Sequence, residues 1–376
     1  MAHIAKILWT IASTPFVHAL VARNVSDTPH TRKAFHVGGE YVPDISESHV
    51  LANQMYVEQL TPIEGATKPH PLVFIHGLAQ TGMNWLTKPD GNPGWASYFL
   101  AHGYECYVVD VPARGRSPWL LPSDSNVSEW MQNSAETVQE LFTAPELYDQ
   151  YEAAKLHTQW PGKGVKGDPV FDNYFASNTP SRMNATWHQS AVQNAGSALV
   201  KMIGKPVILI GHSQGGVAPW LIADRNPNLV CKIVALEPTG PPFQDSVLFG
   251  QKAARAWGLS DIPLTYYPRV EDPHTDIPKK TIPAENGREE CILQADEPQP
   301  RQLVNLRAIE VAVVSAEASW HAPYDWCTAA FLSQAGVNTK LVELAKEGVK
   351  GNGHMLMMEK NSDEVAAVVR SWIEQS

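Results

Sequence analysis

The stretch PVILIGHSQGG, residues 206–216, joins an apolar strand to a sharp turn and the start of a helix. Gly211 and Gly215 flank Ser213 in the pattern Gly-x-Ser-x-Gly. Such a turn forces its central residue into an unfavourable backbone conformation, so the residues two positions away must be small. The serine hydroxyl then projects at a helix N-terminus, where backbone dipoles favour developing negative charge. The stretch predicts a nucleophilic Ser213, and the alternative is a glycine-rich turn with an inert serine.

Apolar strand patterns and helix patterns alternate on both sides of this turn. The predicted buried strands cover 71–76, 104–111, 206–211, 230–236, 309–315 and 339–344, and the predicted helices cover 95–102, 214–224, 322–335 and 362–375. Short apolar runs that alternate with helices are typical of a parallel sheet covered on both faces. An earlier segment, 55–60, alternates apolar and polar residues and predicts an antiparallel strand. We therefore expect an α/β fold with a mostly parallel central sheet.

Two long segments, 118–185 and 239–308, interrupt this alternation and are rich in Pro, Trp and Tyr. Segments of this length inside one domain are usually functional lids or insertions. Both leave the core at the carboxyl ends of predicted strands, where open α/β sheets bind ligands. We therefore expect them to meet over Ser213 as lids and to form an apolar pocket with aromatic walls, such as Trp119 and Trp257. The alternative is that these aromatic residues only pack the insertions onto the core.

The composition limits the class of protein and its partners. The chain has 376 residues, 44% of them hydrophobic, and a formal net charge of −10. This is enough apolar material for a large core, and residues 34–376 are predicted to form a single domain. An acidic chain lacks the basic surface that sequence-independent nucleic-acid binding needs, so we expect no nucleic-acid partner. No apolar run reaches the roughly 18 residues of a membrane-spanning helix, so no integral membrane span is expected.

The N-terminal residues 1–22 carry one positive charge, a mainly apolar run at 7–17 and small residues at Ala19 and Ala22. This pattern resembles a secretory signal peptide that is cleaved after one of the two alanines. The alternative is an ordinary N-terminal segment, because Thr and Ser residues weaken the apolar run. The pattern favours the secretory pathway, and the alternative leaves a cytoplasmic protein.

The four cysteines are scattered and form no CxxC pair, which argues against a zinc site. Cys106 lies in an apolar strand pattern and is predicted to be a buried free thiol. One disulfide among Cys231, Cys291 and Cys327 is compatible with the sequence, which does not assign the pair.

The loop after the first predicted parallel strand contains His76-Gly77-Leu78. Acyl transfer needs two N–H donors aimed at the oxyanion of the tetrahedral intermediate. The usual arrangement takes one from the residue after the nucleophile, here Gln214, and one from this loop, here Leu78. Gly77 lets the backbone approach the substrate closely. The alternative for this loop is a plain tight turn.

A nucleophilic serine also needs a histidine base, which a carboxylate must orient. His354 ends the segment GNGH, 351–354, on the loop between the last predicted strand and the last predicted helix. This is the position of the base in proteins with a Gly-x-Ser-x-Gly turn between strand and helix. His321, after the strand pattern 309–315, is the alternative base.

These motifs together resemble the α/β-hydrolase superfamily. The residues that carry the resemblance are HG at 76–77, DVPARGRS at 110–117, GHSQGG at 211–216 and GH at 353–354, and the match extends over about 72–372 apart from the two insertions. The segments QTGMNW, PGW and RGRS, which begin at 80, 93 and 114, are also similar to a subgroup of microbial serine esterases. The overall pattern resembles hydrolases of fungal polyketide and polyketide–peptide gene clusters. The resemblance implies an acyl-enzyme mechanism without a cofactor or a metal.

The acid of the triad departs from the commonest pattern of this superfamily. The strand 309–315 is followed by Ala-Glu-Ala-Ser, so Ser319 stands where an Asp is expected. Glu237 directly follows the apolar strand 230–236, and a carboxylate there is expensive to bury without a partner. The esterase subgroup places its acid at this point, which the resemblance carries over to Glu237. Glu317 and Asp325 are the alternatives.

The sequence therefore predicts hydrolysis of an ester, lactone or thioester of a small, largely apolar molecule through an acyl-enzyme on Ser213. Its resemblance to fungal cluster hydrolases suggests a role in secondary metabolism. One alternative is acyl transfer or ring formation on the same triad, with a substrate hydroxyl or amine in place of water. The other is a non-catalytic binding protein with the same fold, and the Ser213–His354 combination argues against it.

Overall fold

The computed structural model describes residues 26–43, 48–119 and 130–375, so the predicted signal peptide at 1–22 lies outside the described residues. An eight-stranded sheet runs through this part of the chain. Its strands in chain order are β1 His30–Pro43, β2 His49–Pro62, β3 Leu72–Ile75, β4 Cys106–Asp110, β5 Val207–His212, β6 Val230–Leu236, β7 Glu310–Ser315 and β8 Thr339–Glu343.

The order of the strands across the sheet is β1-β2-β4-β3-β5-β6-β7-β8. Strand β2 pairs antiparallel with both β1 and β4, and all the other neighbours pair in parallel. The elbow strand β5 lies near the middle, between β3 and β6. The carboxyl ends of these three parallel strands therefore meet at one edge of the sheet, which is where the predicted site residues follow them. The predicted α/β fold with a mostly parallel sheet is confirmed.

Nine α-helices are assigned in the described residues. They are α1 Met83–Leu86, α2 Trp95–Ala101, α3 Ala135–Val138, α4 Pro169–Ala176, α5 Ala185–Ile203, α6 Ala218–Arg225, α7 Pro273–Asp276, α8 Asp325–Gln334 and α9 Ser362–Glu374. None of the helices in the described part of the chain is long and apolar enough to cross a membrane.

Side chains alternate between the two faces of the sheet, which builds two cores from one set of strands. In β3, Leu72 and Phe74 point into a core with α1, α2 and α9, whereas Val73 and Ile75 point into a core with α5, α6 and α8. All four side chains are almost fully buried. Burial of each such side chain contributes about 1.5–3 kcal/mol, so both helical layers hold the strands in place.

The two predicted insertions contain short elements of their own. In the described part of 118–185, α3 and α4 are accompanied by a strand pair, Trp130–Met131 with Ser181–Arg182. The segment 239–308 contains α7 and two further strand pairs, Lys279–Ile282 with Cys291–Gln294 and Tyr266–Tyr267 with Gln302–Leu303.

One disulfide, Cys291–Cys327, joins the second insertion to α8. This resolves the pairing that the sequence left open. Cys106 is a buried free thiol, as predicted, and Cys231 is also free.

Candidate active site

Ser213 directly follows β5 in a backbone conformation with φ of +54°, a region that non-glycine residues rarely adopt. It begins a short 3-10 helix, Ser213–Val217, that leads into α6. A Cβ atom on Gly215 would lie 2.2 Å from the carbonyl oxygen of His76, and one on Gly77 would lie 3.0 Å from the Cβ of Ser213. The elbow and the loop after β3 therefore pack so closely that position 215 requires glycine, and a side chain at position 77 would be tight.

His354 and Glu237 form a buried pair beside this elbow. The Nδ1 of His354 lies 2.6 Å from Oε2 of Glu237, and both side chains are at most 1% exposed. Glu237 directly follows β6, whereas His354 lies on the loop before α9. His212 holds that loop, because its Nε2 is 2.9 Å from the carbonyl oxygen of His354. Strands β5 and β6 thus place the serine and the carboxylate at the same edge of the sheet.

Two donors besides His354 face the carboxylate of Glu237. The N–H of Ala316 donates to Oε1 at 2.7 Å, and the hydroxyl of Ser319 donates to Oε2 at 2.7 Å. Burial raises the pKa of Glu237, and these hydrogen bonds oppose that shift by favouring the charged form. Ser319, which occupies the position where an Asp was expected, therefore supports the carboxylate supplied by the neighbouring strand.

Aromatic rings surround the imidazole of His354. The ring centroids of Trp320, His212, His321 and Phe142 lie 4.3, 4.5, 4.7 and 5.7 Å from that of His354. Burial lowers the pKa of His354 well below its ordinary value, and His212 and His321 add to this effect. Its Nε2 has no hydrogen-bond partner in the described residues. His354 is therefore neutral at pH 7 and has one ring nitrogen available for a proton.

The backbone of Leu78 and Gln214 provides candidate oxyanion donors. Both residues line the same cavity as Ser213 and His354. No described residue accepts a hydrogen bond from the Leu78 N–H. The N–H of Gln214 belongs to the first helical turn after the elbow, where N–H groups have no partner within the helix. The two residues that carry the predicted donors thus line the same cavity as Ser213.

The cavity has a volume of about 340 Å³, and both insertions contribute to its walls. Its aromatic lining residues are Phe142, Phe249, Trp320 and Tyr324. The predicted Trp119 and Trp257 are not among the lining residues, so that prediction is wrong for both. Trp119 stacks on Trp130 with ring centroids 4.7 Å apart. Trp257 packs against the core on one face of the sheet, which is the alternative that the sequence left open.

A second histidine–carboxylate pair lies in the same region. The Nδ1 of His321 is 3.0 Å from Oδ1 of Asp325, and both side chains are buried. Burial lowers the pKa of His321 to about 4 and raises that of Asp325 well above its ordinary value. The alternative acid Glu317 lies elsewhere and accepts the N–H of Gly351 at 3.0 Å. The structure thus pairs the two alternatives His321 and Asp325 with each other.

Potential metal-ligating atoms of Glu237, His321 and His354 lie within 4.8 Å of one another. The Nδ1 atoms of both histidines already form hydrogen bonds with carboxylates. A metal ion bound through these nitrogens would replace the hydrogen bonds that orient the two imidazoles.

A buried network that sequence reasoning missed supports the loop before His354. Glu359 accepts the Gly353 N–H at 2.9 Å and the Asn352 amide at 2.7 Å, and it lies 2.7 Å from Nε2 of His157. The Nδ1 of His157 lies 2.8 Å from Glu146. His157 and Glu146 belong to the first insertion, so this network ties the insertion to the loop of the candidate base. The sequence offers no signal for this network, because its members are far apart in the chain.

Comparison with known proteins agrees with this architecture. Residues 72–368 match the model of the alpha/beta hydrolase family. The chain is 43% identical over 342 residues to a probable secreted lipase of a fungal species, covering 91% of this chain and 89% of the relative. It is similar in fold to a bacterial esterase of known structure, with a TM-score of 0.64 and 23% identity, covering 94% of this chain and 98% of the esterase. The chain therefore belongs to the alpha/beta hydrolase family.

Proposed function

We propose that this chain hydrolyses an ester, lactone or thioester of a small, largely apolar molecule through an acyl-enzyme on Ser213. The observation that carries the proposal is the buried His354–Glu237 pair, 2.6 Å apart, whose histidine lines the same cavity as Ser213. A histidine that is held by a carboxylate and has its other nitrogen free is the arrangement that activates a serine. The similarity to a lipase supports an ester as the substrate.

In the proposed reaction, Nε2 of His354 takes the hydroxyl proton of Ser213 while Oγ attacks the substrate carbonyl. The oxyanion of the tetrahedral intermediate receives the N–H groups of Leu78 and Gln214. Glu237 stabilises the imidazolium that forms and holds its orientation. His354 then returns the proton to the leaving oxygen or sulfur, which departs and leaves an acyl group on Ser213. A water molecule, activated by the same histidine, releases the acid and restores the serine.

The walls of the cavity limit the substrate. Its lining surface is largely apolar and aromatic, with contributions from Leu78, Phe142, Val217, Phe249 and Met355. An apolar wall favours an uncharged acyl or alcohol group, because a charged group would lose its hydration there. The two insertions act as lids over this space. No cofactor takes part in the proposed reaction.

The proposed location is outside the cell, with residues 1–22 as the signal peptide. Similarity to a fungal lipase named as probably secreted supports this assignment. The proposed biological role is ester cleavage in fungal secondary metabolism, which rests on the resemblance of the sequence motifs to hydrolases of such gene clusters.

Labelling with a fluorophosphonate tests the nucleophile. We expect the folded wild-type protein to be labelled and Ser213→Ala to be unlabelled, whereas Ser371→Ala on an exposed position of α9 labels normally. Against a panel of p-nitrophenyl esters, lactones and thioesters, Ser213→Ala should lose about 10⁴-fold or more in kcat. A folded wild-type protein that neither labels nor hydrolyses any of these compounds would show a binding protein instead.

A further inference from the structure

Arg114 is a buried cation without an acidic partner. Its side chain belongs to the loop after β4 and the whole residue is 1% exposed. No carboxylate forms an ion pair with it anywhere in the described ranges. Arg116 in the same loop is the opposite case, because it pairs with Asp110 and Glu58. Burying a guanidinium without a counter-ion is unfavourable, so the position of Arg114 requires a compensating role.

The guanidinium of Arg114 contacts both segments that supply the candidate oxyanion donors. Its Nη2 donates to Oε1 of Gln214 at 3.0 Å, and its Nη1 lies 3.4 Å from the carbonyl oxygen of Gly77. One side chain thus bridges the elbow after β5 and the loop after β3. Strands β3 and β5 are neighbours in the sheet, but the loops that follow them are far apart in sequence. Arg114 connects them through side-chain contacts.

The contact with Gly77 acts on the N–H of Leu78, because both groups belong to one peptide unit. A trans peptide is planar, and its carbonyl and N–H point in opposite directions. Donors that hold the Gly77 oxygen on one side therefore fix the direction of the Leu78 N–H on the other. They also polarise the peptide, which makes that N–H a stronger donor.

His76 provides a second donor to the same oxygen. The N–H of Val111 donates to Nε2 of His76 at 3.1 Å, so the ring proton of the neutral imidazole is on Nδ1. Nδ1 in turn lies 2.9 Å from the Gly77 oxygen and donates to it. Burial lowers the pKa of His76 to about 3, and the charge of Arg114 contributes to that shift, so the ring stays neutral. Arg114 is thus the only charged donor recorded at this peptide among the described residues.

We propose that Arg114 is a positioning residue for the oxyanion hole, which orients the Gly77–Leu78 peptide and the Gln214 segment and places a positive charge behind the site. This inference rests on the proposed acyl-enzyme mechanism, which assigns the oxyanion to the N–H groups of Leu78 and Gln214. Arg114 does not line the cavity, so it acts through these two residues and leaves substrate binding unchanged. Its effect is specific to states in which the carbonyl oxygen carries negative charge.

The test compares Arg114→Met with Arg116→Met, two variants that each remove a guanidinium from the same loop. The measurements are kcat and KM for a p-nitrophenyl ester, and inhibition by a trifluoromethyl ketone. That ketone adds the serine oxygen to its carbonyl and so generates the oxyanion. Arg114→Met should lower kcat and weaken inhibition in parallel, each by roughly 10- to 100-fold, with KM within about 3-fold. Arg116→Met should lower Tm while the folded fraction keeps its kcat and its inhibition.

Unchanged kcat and unchanged inhibition in Arg114→Met would overturn the inference. If this variant does not fold, Arg114→Lys and Gln214→Leu replace it, singly and together. If the two residues act together, the double variant loses less kcat than the product of the two single losses. Single losses that multiply independently would overturn the proposal. Labelling of the wild type by a fluorophosphonate distinguishes failure of the proposed function from failure of the role of Arg114. If the wild type does not label, the proposed function fails; if it labels and Arg114→Met behaves as wild type, only the role of Arg114 fails.

Discussion

Two buried histidine–carboxylate pairs lie side by side in this protein, and they differ in the hydrogen-bond donors that face the carboxylate. The rings of His354 and His321 are nearly parallel, with centroids 4.7 Å apart. Glu237 receives hydrogen bonds from a backbone N–H and a serine hydroxyl in addition to its histidine. Asp325 is joined to His321, and its second oxygen has no hydrogen-bond partner in the described part of the chain.

This difference separates the proposed catalytic pair from the second pair, to which we assign no catalytic role. Three donors stabilise the negative charge of Glu237, so it can stabilise an imidazolium on His354. Burial raises the pKa of both acids, and Asp325 lacks the backbone and serine donors that oppose this shift at Glu237, so it is less suited to stabilise an imidazolium. A histidine beside an acid is therefore insufficient evidence for a triad, and the donors around the acid decide its role.

The largest expected effect comes from neutralising each acid in turn. Glu237→Gln should lower kcat by about 10³- to 10⁴-fold, because the amide cannot stabilise the imidazolium. Asp325→Asn should lower kcat by less than about 5-fold, because Asp325 is hydrogen-bonded to His321 and the proposed base His354 is hydrogen-bonded to Glu237. Steady-state kinetics on a p-nitrophenyl ester measures both variants, and circular dichroism checks their folding.

Glu317→Gln is a further control for the same experiment, because this acid contacts the loop of the base and not its ring. It should remain active within about 3-fold, as expected for a residue with only an indirect contact. If Asp325→Asn or Glu317→Gln loses more activity than Glu237→Gln, the assignment of the acid is reversed.

Removing one hydrogen-bond donor from Glu237 should make this acid more like Asp325 and lower kcat. Ser319→Ala deletes the hydroxyl that donates to Oε2, and a hydrogen bond to a charged group contributes about 1.5–3 kcal/mol. We expect kcat to fall by roughly 10-fold with KM little changed. Ser319→Thr, which retains the hydroxyl, is the matched control. Equal activity of the Ala and Thr variants at the wild-type level would show that the donors of Glu237 do not determine its role.

His157 is a third buried histidine, and its two carboxylates make it charged. Burial alone lowers the pKa of His157, but hydrogen bonds with Glu146 and Glu359 outweigh it and raise the pKa to about 9. The charged form therefore stabilises the folded state fully below the ordinary pKa of 6.5, and this contribution is lost as the pH rises through about 9.

His157→Gln should accordingly lower the free energy of unfolding by up to roughly 3 kcal/mol at pH 6, and the difference should shrink toward pH 9. Urea unfolding of wild type and variant at pH 6, 7.5 and 9 measures this. His70→Gln is a control, since that histidine forms a hydrogen bond with the backbone carbonyl of Pro206 and lies outside the network. A stability difference that is independent of pH would contradict a charged His157.

The smallest expected effect concerns the acid limb of the pH profile. The base must be neutral to accept the serine proton, and burial lowers the pKa of His354. The kcat/KM for an uncharged ester should therefore fall to half its maximum well below pH 6.5. His321→Gln should move this midpoint by less than about half a pH unit, because His321, with a pKa of about 4, is already neutral there. A midpoint at or above 6.5 would contradict a desolvated base.

The parallel strands were predictable from sequence, whereas strand β1 and helix α5 were among the elements that were not. Strands such as β5 and β6 are buried on both faces, so their sequences are nearly continuous apolar runs. Strand β1 lies at the edge of the sheet and exposes most of its side chains, so it carries little apolar signal. Helix α5 buries polar residues such as His188 and Gln193, which obscures its apolar period.

In the candidate site, too, some residues were predictable from sequence and others were not. Ser213, His354 and Glu237 follow strands or lie on loops that the chain order identifies, so local sequence nominated Ser213 and His354, and the family resemblance was needed as well for Glu237. The walls depend on how the insertions fold over the sheet, which no local pattern encodes. Trp119 illustrates this, because its partner in the structure is Trp130 on the same insertion. Large aromatic residues can be buried in many ways, and their presence alone does not predict a pocket wall.

The Cys291–Cys327 bond has a practical consequence for preparing this protein. It fastens the insertion that forms one wall of the cavity to the helix that begins with Asp325. Production in a reducing cytosol leaves these two cysteines reduced, and noncovalent contacts alone then hold the wall in place. Material folded under oxidising conditions and material folded under reducing conditions are therefore chemically different samples. Thiol reagents in assay buffers belong among the variables that are controlled.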